Sequence, residues 1–139
     1  MKVLIDTNVI LDALMNRDPW AAAAQELLRY AAMEKVKGFV AASQTTDIFY
    51  LLRRAGAEEG SAKEIIKKLT DGVGVSDITP ADVQGALASN MPDYEDALLA
   101  FCAKRQKAEY IITRNEKDFG RSQVPAISPS AFLEKLSST

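Results

Sequence analysis

The strongest constraint on this chain is an alternation. Short aliphatic runs recur along it, each separated from the next by a segment long enough for one or two helices. Lys2–Ile5, Gly38–Ala42, Gly72–Val75, Tyr110–Thr113 and Val124–Ile127 read as strands, bounded by turn residues or helix caps. Val9–Met15 reads as a short helix. Asp18 and Pro19 predict the N-cap and first position of a helix reaching about Lys35. Ser43 is expected to cap a helix ending near Gly56. Ser61–Leu69 sets Ile65, Ile66 and Leu69 on one face, with Lys63, Lys67 and Lys68 outside. Thr79-Pro80 opens another helix. Pro92-Asp93 opens one carrying Asp96 and the apolar run Ala97–Ala103, and Pro129–Leu136 reads as a last helix. This order predicts a three-layer α/β/α sandwich with a mainly parallel sheet of four or five strands.

The 139 residues suit one domain spanning residues 1–139, with enough chain to bury a core. No repeat, linker or low-complexity stretch divides it. The aromatic and aliphatic residues Trp20 and Phe49-Tyr50-Leu51-Leu52 are read first as core. Cys102, the single cysteine, lies in an apolar run and is expected to be a buried thiol without a disulfide partner. The opening MKVLIDTNVILDAL is interrupted by Asp6-Thr7-Asn8, so no signal peptide is expected. No apolar run approaches the roughly 20 residues of a membrane span. A soluble cytoplasmic protein without membrane contact is the expectation.

Composition excludes several chemistries. With no histidine, there is no Ser-His-Asp triad, no Cys-His pair and no histidine metal site. Acid–base work must rest on carboxylates, lysine, tyrosine or metal-bound water. A net charge of −2 argues against a general nucleic-acid coating protein, so any RNA contact needs a local basic patch.

In parallel α/β sheets, ligands bind beyond the carboxyl ends of the strands. Asp6 follows the first strand directly. Asp47 sits about a turn into the helix after the second, Asp96 about a turn into the helix before the fourth, and Asn115 and Asp118 follow the fourth. A parallel sheet would gather them at one edge. Packed carboxylates suit Mg²⁺ or Mn²⁺, hard cations that take oxygen ligands and keep several waters. Each acid also has a plain reading. Asp6 could cap a helix, Asp47 could be a solvated helix position, and Asp93 an N-cap. Glu95 reads as a solvated acid beside the site, and Asp12 as a surface acid of the first helix.

Three stretches carry a resemblance. Val3–Leu11, with its strand ending in Asp-Thr-Asn, resembles the opening of a PIN domain. Glu95–Phe119 is similar to that family's later part, where an Asp-Ala pair starts an apolar helix followed by a strand and a Thr-Arg-Asn turn. Ser43–Arg54 corresponds to the middle segment that holds the family's second acid. The chain most resembles compact bacterial PIN domains, including the VapC-type toxins of toxin–antitoxin pairs.

That resemblance implies a Mg²⁺- or Mn²⁺-dependent ribonuclease, a homodimer, with an antitoxin protein as partner. The catalytic, metal-binding acids would be Asp6, Asp47 and Asp96. Where the family often has a fourth aspartate this chain has Asn115, neutral but able to offer a carbonyl oxygen; Asp118 is the other claimant. Asn8 and Thr113 would orient the acids. Arg114, Lys117 and Arg121 would contact RNA phosphates. Two other readings stand beside it: a PIN-like module that binds RNA or protein without cutting, and a phosphotransfer domain with Asp6 as acceptor. The second lacks the accompanying acidic pair, and position 8 is Asn8 rather than a second aspartate.

Overall fold

The computed structural model describes residues 1–138 and forms one α/β/α layer structure. Its elements run β1 (Lys2–Ile5), α1 (Thr7–Leu14), α2 (Ala21–Ala32), β2 (Lys37–Ala41), α3 (Ala42–Arg54), α4 (Glu59–Gly72), β3 (Gly74–Ser76), α5 (Pro80–Ala88) and α6 (Tyr94–Arg105). They continue with β4 (Tyr110–Ile112), a 3-10 turn (Glu116–Phe119), β5 (Ala126–Ile127) and α7 (Pro129–Ser137). All five strands are parallel, in the order β3-β2-β1-β4-β5. The sequence runs outward from β1 on one side, then crosses back to β4 and β5 on the other. The order therefore reverses between β1 and β4, where the carboxyl ends of two neighbouring strands open a crevice.

Both faces of the sheet are buried, as parallel sheets require. Side chains alternate along each strand. Val3 and Ile5 join Val40, Ile112 and Ile127 in a core shared with α1, α2, α3, α4 and α7. Leu4 points the other way and packs with Phe39, Ala41 and Ile111 against Leu99, Ala100, Cys102 and Ala103 of α6. Cys102 is buried, as its apolar context predicts. At Gly38 a Cβ would stand 3.0 Å from Ile5 Cδ1 and 3.2 Å from Ala31 Cβ, so the missing side chain lets α2 lie close on the sheet. Among the described residues no helix is long and apolar enough to cross a membrane.

Some local expectations need correcting. Asp18 and Pro19 do not start α2. The Trp20 N–H returns to the Arg17 carbonyl (3.1 Å) in a turn, and the first helical bond is Ala24 N–H to Trp20 O, so the helix begins at Ala21. Ser43 does not cap α3, which starts a residue earlier. There the Gln44 side-chain oxygen accepts the Ala41 N–H at 2.7 Å. Asp12 is no surface acid but 1% exposed, and the reading of Trp20 and Tyr50 as core fails, at 44% and 68% exposure. Leu52 is buried, and Phe49 and Leu51 pack against the core as expected.

Candidate active site

The crevice is built from the ends of β1 and β4. Asp6 leaves β1 with extended backbone (φ −67°, ψ 151°) and becomes the N-cap of α1, its Oδ1 accepting the Thr7 N–H at 2.8 Å. Its own N–H donates to Ile112 O of β4 (2.9 Å), locking it to the neighbouring strand. Thr113, fully buried, donates through Oγ1 to Asp6 Oδ2 at 2.8 Å and accepts the Asn115 N–H at 3.0 Å. The Asn8 amide leans on the same pair, 3.4 Å from Asp6 Oδ2 and 3.5 Å from Thr113 Oγ1. Asp6 thus has a fixed orientation before any ligand arrives.

The other acids come from three further segments. Asp47 is half-buried on the second turn of α3. Asp96 sits in the first turn of α6, its N–H held by the N-cap Asp93 Oδ1 at 2.9 Å. Asp118 is exposed on the 3-10 turn, whose first residue is preceded by Asn115. Gln44 braces α3 against β1: its amide donates to Ile5 O (2.8 Å) and to Thr7 Oγ1 (3.2 Å).

Electrostatics place these carboxylates in one field. Burial pushes the Asp6 carboxyl up. The Thr113 hydroxyl, the Thr7 N–H and Arg114 pull it back, and Asp118 adds to the rise. Asp96 is pushed up to about 7, first by desolvation, then by Asp93, Asp6, Asp118 and Glu95. Glu95 is also raised, by desolvation and then by the charge of Asp47, with which it shares a hydrogen bond. So Asp6, Asp96 and Asp118 sense one another, and Glu95 links Asp47 to the same field. Glu95, read as a solvated acid beside the site, is exposed and shares the field of these carboxylates.

The basic residues separate. Arg114 donates through Nε to Asp12 Oδ2 (2.6 Å) and through Nη2 to Oδ1 (3.3 Å), and its guanidinium lies 4.0 Å from the centre of the Trp20 ring. Arg17 binds the same carboxylate from the other side, Nε to Oδ1 at 2.9 Å, and reaches Asn8 O. Arg114 is therefore engaged inside the protein, pinning the end of β4 to α1. Arg121 donates to Asn90 O (2.9 Å) on the α5–α6 loop, and Lys117 is exposed on the 3-10 turn. Asp12, Arg17 and Gln44 were not legible as site residues; the one available signal was a charged or amide group inside an apolar helix pattern, which demands a buried partner.

The donor set can be tested against a divalent cation. It consists of hard oxygens, as Mg²⁺ or Mn²⁺ requires. Among the described residues the Asn8 Oδ1 atom is buried without a hydrogen-bond partner, and the Asp96 carboxyl is raised first by desolvation and then by neighbouring carboxylates, whose charge a cation would offset. Among the described residues no three acidic side chains converge into a ready ligand cluster. The donor chemistry suits such an ion, while the described carboxylates stand apart from one another.

Comparison with known proteins agrees with this architecture. No curated protein matches the chain in sequence. Among solved structures, a toxin–antitoxin complex from Klebsiella pneumoniae is similar at 18% identity and a TM-score of 0.69, over 91% of this chain and 97% of that one. VapBC2 from Rickettsia felis, bound to a DNA fragment from its promoter, is similar at 14% identity and a TM-score of 0.67, over 92% and 98%. The Mycobacterium tuberculosis toxin VapC20, described as cleaving the sarcin-ricin loop, is similar at 14% and 0.61, over 78% and 86%. At such identities the likeness is one of fold. The PIN domain family model matches residues 2–117, which span the sheet crevice, Asp6, Asp47, Asp96 and Asn115; the chain belongs to the PIN domain family.

Proposed function

We infer that this protein is a Mg²⁺- or Mn²⁺-dependent endoribonuclease that hydrolyses RNA phosphodiester bonds, acting as the toxin of a toxin–antitoxin pair. The observation that carries the reading is the set of mutually repelling carboxylates, Asp6, Asp96 and Asp118, at the point where strand order reverses. Asp6, Asp47, Asp96 and Asp118 would hold the ion, and Asn115 could add an amide oxygen. Such an ion, when bound, lowers the pKa of a coordinated water and offsets charge developing on the phosphodiester.

The chain's own residues do the rest. Thr113 and Asn8 fix the Asp6 carboxylate, and Asp93 fixes the first turn of α6 and with it Asp96. Lys117, exposed beside Asp118, orients the RNA backbone. Arg114 acts from behind, by its charge on Asp6 and its hold on α1. The similar toxin structures support an antitoxin partner. Trp20 and Tyr50 are exposed rings, each a point at which a second copy or that partner would settle.

The test is cleavage of a mixed set of single-stranded and structured RNAs with Mg²⁺, with Mn²⁺ and with EDTA, comparing wild type with Asp6→Asn. Metal-dependent cutting that Asp6→Asn abolishes supports the nuclease; undiminished cutting by the variant sinks it. A second reading, a PIN-like module that binds RNA or protein without cutting, is favoured by the neutral Asn115 and by the dispersed acids. Thermal unfolding with rising Mg²⁺ separates the two. An ion that binds the folded state raises the midpoint in step with its concentration, whereas a module without a metal site shows no specific shift.

A further inference from the structure

A second recess adjoins the acidic crevice. It is a cleft of about 410 Å³ between the end of α5, the face of α6 and the segment after the 3-10 turn, within the size range of small-ligand pockets. Its wall includes Lys104, Arg121, Phe101, Met91, Asn90 and Gln123, and no carboxylate. In a chain of net charge −2 with an acidic site next door, that local sign is unexpected.

The wall is built and held. The Phe101 ring rests directly on Gly85 of α5: a Cβ there would come within 2.4 Å of Phe101 Cδ1, so only glycine leaves the ring its place. Arg121 bonds Asn90 O through Nη1 at 2.9 Å, joining the segment after the 3-10 turn to the α5–α6 loop. That single bond leaves the other guanidinium donors available. Neither Lys104 nor Arg121 is in an ion pair among the described residues. The cleft also shares its framework with the crevice. Asn90 precedes Asp93, the cap of α6, by three residues, and Arg121 follows Asp118 by three. Three residues span at most about 11 Å, so both walls begin within that reach of the acids.

We propose that this cleft is a subsite for one unpaired nucleotide of the RNA strand, next to the one cut in the acidic crevice. The base lies against Phe101 and Met91, and Arg121 and Lys104 take its phosphate. Aromatic platforms beside free cations are what single-stranded RNA uses, and a base within a duplex cannot enter. The subsite rests on the ribonuclease reading and adds that the substrate is single-stranded there.

The test measures binding in the Asp6→Asn background with Mg²⁺, by fluorescence anisotropy of short oligouridylate and oligoadenylate strands, an RNA duplex, and free UMP and AMP. Arg121→Gln, Lys104→Gln and Phe101→Leu are compared with Lys63→Gln, on exposed α4. Thermal unfolding checks each fold. Expected are losses of ~10-fold for single strands with each cleft variant, and a salt dependence shallower by about one counterion for each cation removed. Lys63→Gln and the duplex should show no change. If Phe101→Leu unfolds, the two cation variants still decide. Wild-type affinity and salt slope in both overturn the subsite while leaving the nuclease reading intact. Mononucleotides binding as tightly as strands overturn it in favour of an effector pocket. No RNA bound or cut by any form overturns the nuclease reading and the subsite together.

Discussion

Thr113 Oγ1 donates a hydrogen bond to Asp6 Oδ2 at 2.8 Å, across the junction of two strands 107 residues apart in sequence. The threonine is fully buried, and its oxygen also receives the Asn115 N–H. One hydroxyl therefore sets both the leading acid and the start of the turn that carries Asp118. Thr113→Val keeps the shape and removes the bond, leaving Asp6 and the Asn115 N–H short of a partner. Expected is a stability loss of about 1–3 kcal/mol and a drop in metal-dependent cleavage, with Thr113→Ser restoring most of both. Denaturant unfolding and cleavage rates on the three proteins check this.

Asp6→Asn should behave differently. Burial already raises the Asp6 carboxyl, so neutralising it relieves that penalty, but one oxygen that accepts from Thr7 or Thr113 becomes an NH2 donor, and the two effects oppose each other. Cleavage should disappear while the metal-free protein stays folded, with a stability within about 2 kcal/mol of wild type. A variant that loses cleavage only because it unfolds would contradict the ligand role.

Asp96 predicts a pH dependence. Its folded pKa of about 7 stands above the ordinary 3.8. Between those values the folded protein keeps a proton that the unfolded chain releases, so stability falls as pH rises through this window. Below it the carboxyl is protonated in both states and the penalty vanishes; above it the penalty is complete. Solvent reaches this half-buried group, so the effect is on the order of 1–2 kcal/mol. Metal-free Asp96→Asn should flatten the slope and gain stability at neutral pH. Identical pH profiles for the two proteins would refute the assignment.

Asp12 is 1% exposed and shared by Arg17 and Arg114. Removing either partner of a buried pair costs more than the pair contributes, because the remaining charge is stranded. Here both arginines reach solvent at their edges, which softens the loss when the acid goes. Asp12→Ala is expected to cost about 2 kcal/mol, and Arg114→Ala somewhat more, since it leaves Asp12 with one partner and strips the Trp20 ring of its cation. Urea midpoints of the two variants give the ranking; a larger loss for Asp12→Ala would reverse it.

Local pattern made much of this molecule legible. The run Lys2–Ile5 is a strand because it holds no turn former and its three aliphatic side chains, Val3, Leu4 and Ile5, are buried on alternating faces. Thr79 and Asp93 cap α5 and α6 because a short oxygen-bearing side chain satisfies an orphan N–H of the first turn. The parallel order followed from the intervening helices, and with it the expectation that Asp6, Asp47, Asp96, Asn115 and Asp118 gather at one edge of the sheet. The family resemblance added roles that spacing alone left open.

Tertiary structure decided the rest, because charges and amides choose partners by proximity in space. Asp12 looked like a solvated helix acid until the end of β4 brought Arg114 over it and paired the two. Gln44 carries no local signal of its role, yet it closes the gap between β1 and β2. Glu95 joined the acidic field only because α6 crosses near Asp47 of α3. Sequence by itself determined which groups had to be paired or gathered, since burial of a polar atom without a partner is costly; the packed sheet alone determined with whom.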